Sequence, residues 1–234
     1  MTGLFDALDA TWPAAASHRA GAWTVREGQD GGKRVSSALA VAEGAEADIP
    51  LAEAQHRALG QQALFCLREG EDRLDAALAA RGYHIVDPVT LYACPVEIMT
   101  TEAPARLSTF PVWPPLAIMG EIWAAGAIGP ARRAVMDRAP GPKTAILGRL
   151  GDRPAGTLFV ALHGGWAVIH ALHIAPDLRR QGLARNLMRA AGQWAAPQGA
   201  RQLALAVTAA NAPANALYRT LGMTPAGQYH YRAK

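Results

Sequence analysis

Along the second half of the chain, apolar runs alternate with breaks marked by glycine and proline, at spacings that suit short strands and helices. Residues 116–127 and 130–138 read as helices, divided by Gly129-Pro130. Residues 144–150 and 156–162 read as strands joined by a turn at 151–154. Gly164-Gly165 forms a second turn, and 166–174 a third strand. Pro176-Asp177 opens a loop that leads into a helix over about 182–195. Residues 203–208 make an apolar strand, 215–221 a short helix stopped by Gly222, and 228–232 a last strand.

The first half carries fewer clear signals. Residues 23–27 and 63–67 read as strands, 51–60 and 71–80 as helices, and 28–32 as a flexible turn. Pro104, Pro111, Pro114 and Pro115 cluster between the halves. Proline removes a backbone donor and restricts its neighbour, so this stretch suits neither a helix nor a central strand. It sets a boundary that divides the chain into domains 1–105 and 106–234. Antiparallel strands followed by a strand-helix-strand-helix-strand run describe an α+β fold, a mixed α/β layer architecture.

Composition adds two facts. The chain has 234 residues, half of them hydrophobic, which is enough for a sizeable core. It has no apolar run long enough to span a bilayer and no basic, apolar leader, so a cytoplasmic protein is expected. Cys66 and Cys94 lack metal-type spacing and are expected to be reduced core residues, and no metal site is expected. The net charge of +4 hides a division: residues 1–108 carry a net −6 and residues 109–234 a net +10. A strongly basic half calls for an anionic ligand, a nucleic acid or the acidic half of its own chain. No basic-aromatic stacking pattern or known reading motif is present, which ranks nucleic acid last.

The segment 172–185 carries the chemistry. An apolar strand ends at Ala175, and a basic loop containing Arg179, Arg180, Gln181, Gly182 and Arg185 feeds directly into a helix. The first amides of a helix lack internal partners and carry the positive end of its dipole, so they favour an anion. Gly182 lets a phosphate approach the backbone closely, and the arginines add formal charge. The loop is neither a Walker loop nor a dinucleotide fingerprint, since the required Gly-Lys-Ser/Thr and Gly-x-Gly-x-x-Gly are absent. A pyrophosphate suits it, although a solvated arginine run in an ordinary connection would give the same pattern.

A second segment, Asn211-Ala-Pro-Ala-Asn-Ala-Leu-Tyr-Arg-Thr-Leu-Gly-Met223, follows the 203–208 strand at short distance. With both segments in this order, the chain resembles the GNAT superfamily of N-acetyltransferases over roughly residues 115–234. Arg179, Gly182 and Ala184 match the family's loop, and Asn211, Ala214, Leu217, Tyr218, Leu221 and Gly222 match its later motif. Ala184 stands where glycine is commoner, and Met223 where phenylalanine is usual. The resemblance implies acetyl-CoA as the acetyl donor, with its pyrophosphate held by the loop from Arg179 through Arg180, Gln181, Gly182, Leu183 and Ala184 to Arg185. It implies that the strand edge at Leu172, His173 and Ile174, together with Asn211, pairs with the pantetheine arm. Tyr218 would protonate the departing thiolate, its alternative role being a packing residue on an amphipathic helix.

The acceptor amine must lose a proton before it attacks; a lysine amine has a pKa of roughly 10.4 and an α-amine roughly 8. Many family members place a glutamate in the strand before the loop, whereas this chain has Val168 there. His170 is the candidate base, preferred over His173, with a structural histidine as its alternative. In the first half, residues 74–83 followed by Asp87-Pro88 resemble the helix-Gly-aromatic tail of a GNAT module, which suggests a tandem protein whose degenerate first module lacks a cofactor loop. The expected activity is acetyl transfer to a primary amine, on a small molecule or a protein, through a direct ternary complex. A non-catalytic acyl-CoA-binding module is the alternative. The sequence leaves the acceptor and the oligomeric state open, a homodimer included.

Overall fold

The computed structural model describes residues 3–234. Its first part runs α1 (Leu4–Thr11), β1 (Ala16–Ala20), β2 (Trp23–Glu27), α2 (Lys33–Ser36), β3 (Ala38–Ala40) and α3 (Ile49–Ala58). Next come β4 (Leu64–Arg68), α4 (Asp72–Ala80), β5 (His84–Pro95), α5 (Val96–Thr100), β6 (Thr109–Val112), α6 (Ala117–Ala125) and α7 (Pro130–Arg138). The remainder comprises β7 (Lys143–Leu150), β8 (Arg153–His163), β9 (Trp166–Ile174), α8 (Leu183–Ala195), β10 (Gln202–Thr208), α9 (Ala212–Thr220) and β11 (Thr224–Ala233). The α+β class read from the sequence is the one observed. Among the described residues, no helix is long and apolar enough to cross a membrane. Cys66 and Cys94 are both free and buried, as expected, and burial pushes the Cys94 thiol up to about 11.

Packing divides the chain into two compact units. The first gathers the N-terminal stretch through Trp12, Leu91–Ala206 and Pro213–Pro225; the second gathers Pro13–Thr90, Val207–Ala212 and Ala226–Lys234. These are not the sequence halves divided at 105/106, since each unit draws residues from both.

In the first unit the strands lie in the order β6-β7-β8-β9-β10. The first three pairings are antiparallel and β9 with β10 is parallel. Strand β8 is buried without interruption from Ala155 to Leu162, as a strand covered on both faces must be. The register shows which helix covers which face. Phe159 pairs with His170, and this face receives Thr11 and Trp12, at the end of α1. Gly148 and Gly156 belong to the other face, where a side chain at Gly148 would run into Leu183 and Leu187 of α8. Helix α8 therefore needs a glycine on β7 to pack closely.

In the second unit the order is β1-β2-β3-β4-β11. The chain's last strand pairs antiparallel with β4, from Tyr229↔Arg68 to Ala233↔Leu64. Trp23, Phe65 and Tyr83 form the aromatic centre of its core, with ring centroids 4.9 and 5.1 Å apart in edge-on contacts. Beside it, Asp75 of α4 accepts two hydrogen bonds from the Arg232 guanidinium, at 2.8 and 2.6 Å, and lies 2.6 Å from His230 Nε2. Arg232 also donates to the Tyr83 carbonyl at 2.8 Å. A bidentate guanidinium pair fixes both position and orientation, so it locks β11 onto α4.

The hydrogen bonds from Arg232, followed by those from His230, hold the Asp75 carboxyl down at about 2 from its ordinary 3.8. A depressed carboxylate contributes stability that is full above its unfolded pKa and is lost as pH falls through the folded one. The Asp75 contribution should thus be intact at pH 5 and disappear between about pH 4 and pH 2. Urea midpoints measured across this range should fall less steeply with acid in Asp75→Asn than in the parent. The mutant should already be less stable at neutral pH.

Candidate active site

The site begins with an irregularity in β9. Thr157 of β8 pairs with His173, but Phe159 pairs with His170, so β9 has two residues, Ala171 and Leu172, opposite the single Leu158. This is a β-bulge. Ala171 has φ 52, in the left-handed region that a residue with a Cβ adopts only at a cost. The extra residue changes which way side chains point. In a regular strand His170 and His173, three apart, would face opposite sides. The bulge turns both onto the face covered by α1 and α6. The register of β9 with β10 ends at Ile169↔Leu205, so Leu172, His173 and Ile174 extend past the last β10 pair.

Beyond Ile174 the chain makes a 3-10 turn at Pro176–Leu178 and reaches α8 through Arg179 to Gly182. Gly182, the N-cap, has φ 81, and nothing lies within 4 Å of where its side chain would be. Glycine is required there by the backbone, and the space beside it is clear. The first helical bond runs from the Asn186 amide to the Gly182 carbonyl at 3.2 Å. The amides of Leu183, Ala184 and Arg185 consequently have no partner within the helix. Arg179, Arg180, Gln181 and Arg185 are exposed around them, and Arg179 Nε donates to the Ile174 carbonyl at 3.1 Å. Unpaired amides, a helix dipole and several guanidinium groups thus converge on one clear space, which fits a pyrophosphate.

Tyr218 sits on α9, 7 % exposed, with its ring centroid 5.8 Å from that of Tyr92. Burial pushes its hydroxyl up to about 12, so it remains a proton donor across the physiological range. Helix α9 stops because Gly222 takes φ 80; its amide bonds to the Arg219 carbonyl and that of Met223 to the Tyr218 carbonyl, at 3.0 and 3.1 Å. This 5→2 and 6→1 pairing is a Schellman ending. Helix α4 ends the same way, through Gly82 at φ 83 and the amide of Tyr83. Asn211 belongs to the second unit, whereas Tyr218, both histidines and residues 172–185 belong to the first.

His170 is 6 % exposed. Its Nε2 lies 2.9 Å from Thr11 Oγ1, and its ring lies 4.9 Å from Trp12 and 6.1 Å from Phe159. The Thr11 hydroxyl spends its proton on the Ala7 carbonyl, 2.7 Å away. Thr11 thus ties the His170 ring to the end of α1. His173 is more accessible, yet its Nε2 is buried without a hydrogen-bond partner, as is Oγ1 of its cross-strand neighbour Thr157. Burial, then the nearby Arg179, lowers the His173 pKa and keeps the ring neutral.

Sequence reasoning missed Thr11, Trp12, Trp123 and Gly126. Trp123, fully buried in α6, donates from Nε1 to the bulged Ala171 carbonyl at 2.8 Å. Gly126, the C-cap of α6, lies against the His173 ring. No local motif marks any of the four; only the run of aromatic and apolar residues in 116–127 hinted at a buried helix.

Residues 119–223 match the Acetyltransferase (GNAT) family. The chain is 26 % identical over 236 residues to an uncharacterized N-acetyltransferase, YobR, of Bacillus subtilis, covering 96 % of this chain and 95 % of the relative. Among solved structures it is similar to a GCN5-related N-acetyltransferase from Kribbella flavida, with a TM-score of 0.72 and 22 % identity over 97 % of this chain and 92 % of the other. A tandem GNAT protein from the clavulanic acid biosynthesis pathway gives a TM-score of 0.63 at 13 % identity, over 95 % and 84 %. The fold is GNAT-like, and over residues 119–223 the chain is similar to acetyltransferases of the GNAT family.

The Thr11–His170 contact makes a prediction independent of any ligand. Thr11→Val preserves shape but removes the hydroxyl that partners the buried His170 Nε2, which costs about 1–3 kcal/mol. Urea unfolding should show a loss of that size, and Thr11→Ser should recover most of it.

Proposed function

We propose that this protein transfers an acetyl group from acetyl-CoA to a primary amine within a direct ternary complex. The observation that carries the proposal is the continuity of the bulged edge of β9 with the N-terminus of α8. In this reading the amides and guanidinium groups from Arg179 to Arg185 hold the pyrophosphate. The backbone of Leu172, His173 and Ile174 pairs with the pantetheine arm in the manner of an added strand, and Asn211 contacts the same arm. Bound acetyl-CoA supplies a thioester as the activated acyl group. Along the chain we read residues 106–234 as the catalytic module, although by packing Val207–Ala212 and Ala226–Lys234 of that stretch belong to the second unit.

Tyr218 assists the leaving group. Its raised pKa keeps the proton on Oη across the physiological range; a thiol of pKa roughly 8.5 is the stronger acid, so the hydroxyl acts by hydrogen-bonding to the sulfur as charge builds on it in the transition state, and the proton is finally supplied to the thiolate from water. His170 is the proposed base. The enclosure of its ring by Trp12 and Phe159 means that its access to the amine depends on how α1 sits. The first module is read as a degenerate GNAT-like domain. The shared Schellman endings of α4 and α9 support that reading, as does the similarity to a tandem protein.

Two substitutions test these roles. Gly182→Asp places a side chain and a negative charge where the phosphates belong, in a backbone conformation that only glycine adopts easily. Calorimetry should show coenzyme A affinity lost by about a hundredfold or more, equivalent to roughly 2.7 kcal/mol, with the fold retained by circular dichroism. Unchanged affinity would remove the loop from the site. Tyr218→Phe keeps the ring and its packing against Tyr92 but deletes the proton. Steady-state kinetics over a panel of amines should show kcat reduced about tenfold or more with coenzyme A affinity nearly unchanged. A mutant that turned over like the parent would leave Tyr218 as a packing residue.

A further inference from the structure

The bulge in β9 lacks the residue that would make it easy. Glycine is the usual occupant of a left-handed position in a strand, because any Cβ there crowds the following carbonyl. This chain has Ala171 instead, at φ 52. A disfavoured backbone conformation persists only where its surroundings over-determine it. Two contacts with the end of α6 do this. Trp123 Nε1–H donates to the Ala171 carbonyl at 2.8 Å, from an indole that is itself fully buried. One turn further on, Gly126 rests against the His173 imidazole so closely that a Cβ at 126 would meet its ring atoms at 2.4–2.7 Å.

Both contacts fall on the bulge itself or on the first stretch beyond it, and the β9–β10 register has already ended at Ile169. A bulge bends its strand and increases its local twist. The end of α6 therefore determines the course of Leu172, His173 and Ile174 as they leave β10. We infer that Trp123 is a positioning residue: with Gly126 it clamps the β9 bulge and so sets the strand edge to which the coenzyme arm binds. The inference rests on the acetyl-CoA reading above for the identity of the arm, but the clamp itself can be tested without it.

The experiment combines Trp123→Phe, Ala171→Gly and the double variant. Coenzyme A affinity is read by calorimetry, and exchange of the amides of 171–174 by hydrogen-exchange mass spectrometry. Trp123→Phe keeps an aromatic body and deletes the N–H. It should weaken coenzyme A by about fivefold to tenfold, the worth of one hydrogen bond, and speed exchange across 171–174. Ala171→Gly alone should leave affinity near the parent's. In the double variant glycine adopts the bulge without the clamp, so affinity should return to within about twofold of the parent. Recovery separates positioning from packing, because a cavity left by the indole would not be repaired by deleting a methyl group on another element. Gly126→Ala provides an independent route if Trp123→Phe does not fold; it should displace the end of α6 from His173 and weaken coenzyme A by a similar factor. Parental affinity and exchange in Trp123→Phe, a loss that Ala171→Gly does not repair, or parental affinity in Gly126→Ala would each overturn the inference. A parent chain that binds no coenzyme A would instead overturn the acetyl-CoA reading, and the exchange rates would still decide whether the clamp exists.

Discussion

A single extra residue in β9 determines what the rest of the site can be. Without it, side chains along the strand would alternate regularly, and His170 and His173 would face opposite sides of the sheet. With it, both turn toward the layer containing α1 and α6, and the strand bends just after its pairing with β10 ends. The bend directs the chain through Pro176–Leu178 to Gly182, so the anion-binding end of α8 follows directly from the strand edge. The bulge is not autonomous. An alanine holds the left-handed position, and the hydrogen bond from Trp123 and the close approach of Gly126 supply what the local sequence does not.

Burial and exposure divide the chemistry between two kinds of group. The arginines at 179, 180 and 185 remain in solvent, where a guanidinium keeps its charge and can reach a phosphate. Tyr218 and His170 lie inside, and burial keeps the Tyr218 hydroxyl protonated. The site proposed above, which would hold a multiply charged ligand at one end and move a proton at the other, needs both environments a short distance apart along the chain. The strand-to-helix connection from 170 to 185 supplies them with few residues.

The sequence revealed what depends on local signals. Gly182 and Gly222 marked the start of α8 and the end of α9, and glycines and prolines located the β7–β8 hairpin, although β8 begins three residues earlier than read, at Arg153. What it did not reveal depends on partners remote in sequence. The segment 166–174 is nearly all apolar, so no break in alternation announced the bulge, and no glycine marked it. The short helix α1 gave no signal at all. Yet Thr11 reaches His170 across 159 positions and changes the reading of that histidine from a free imidazole to an enclosed one. The proline cluster near 111–115 looked like a domain boundary because it interrupts secondary structure, but packing assigns residues by contact, and β11 packs with β4.

That last pairing bears on how the protein is made. Residues 64–68 leave the ribosome long before residues 229–233, yet they are hydrogen-bonded to each other in the finished fold. The second unit therefore cannot be completed during synthesis as an ordinary amino-terminal domain would be. Trp23, Phe65 and Tyr83 can gather early, but Asp75 waits for Arg232, and β4 for its pairing with β11, until residues 229–233 have been made. Contacts of such large sequence separation form slowly, and an unpaired strand edge invites association with other chains while it waits. The interval between making β4 and making β11 is therefore the one in which the β4 edge stands without this partner.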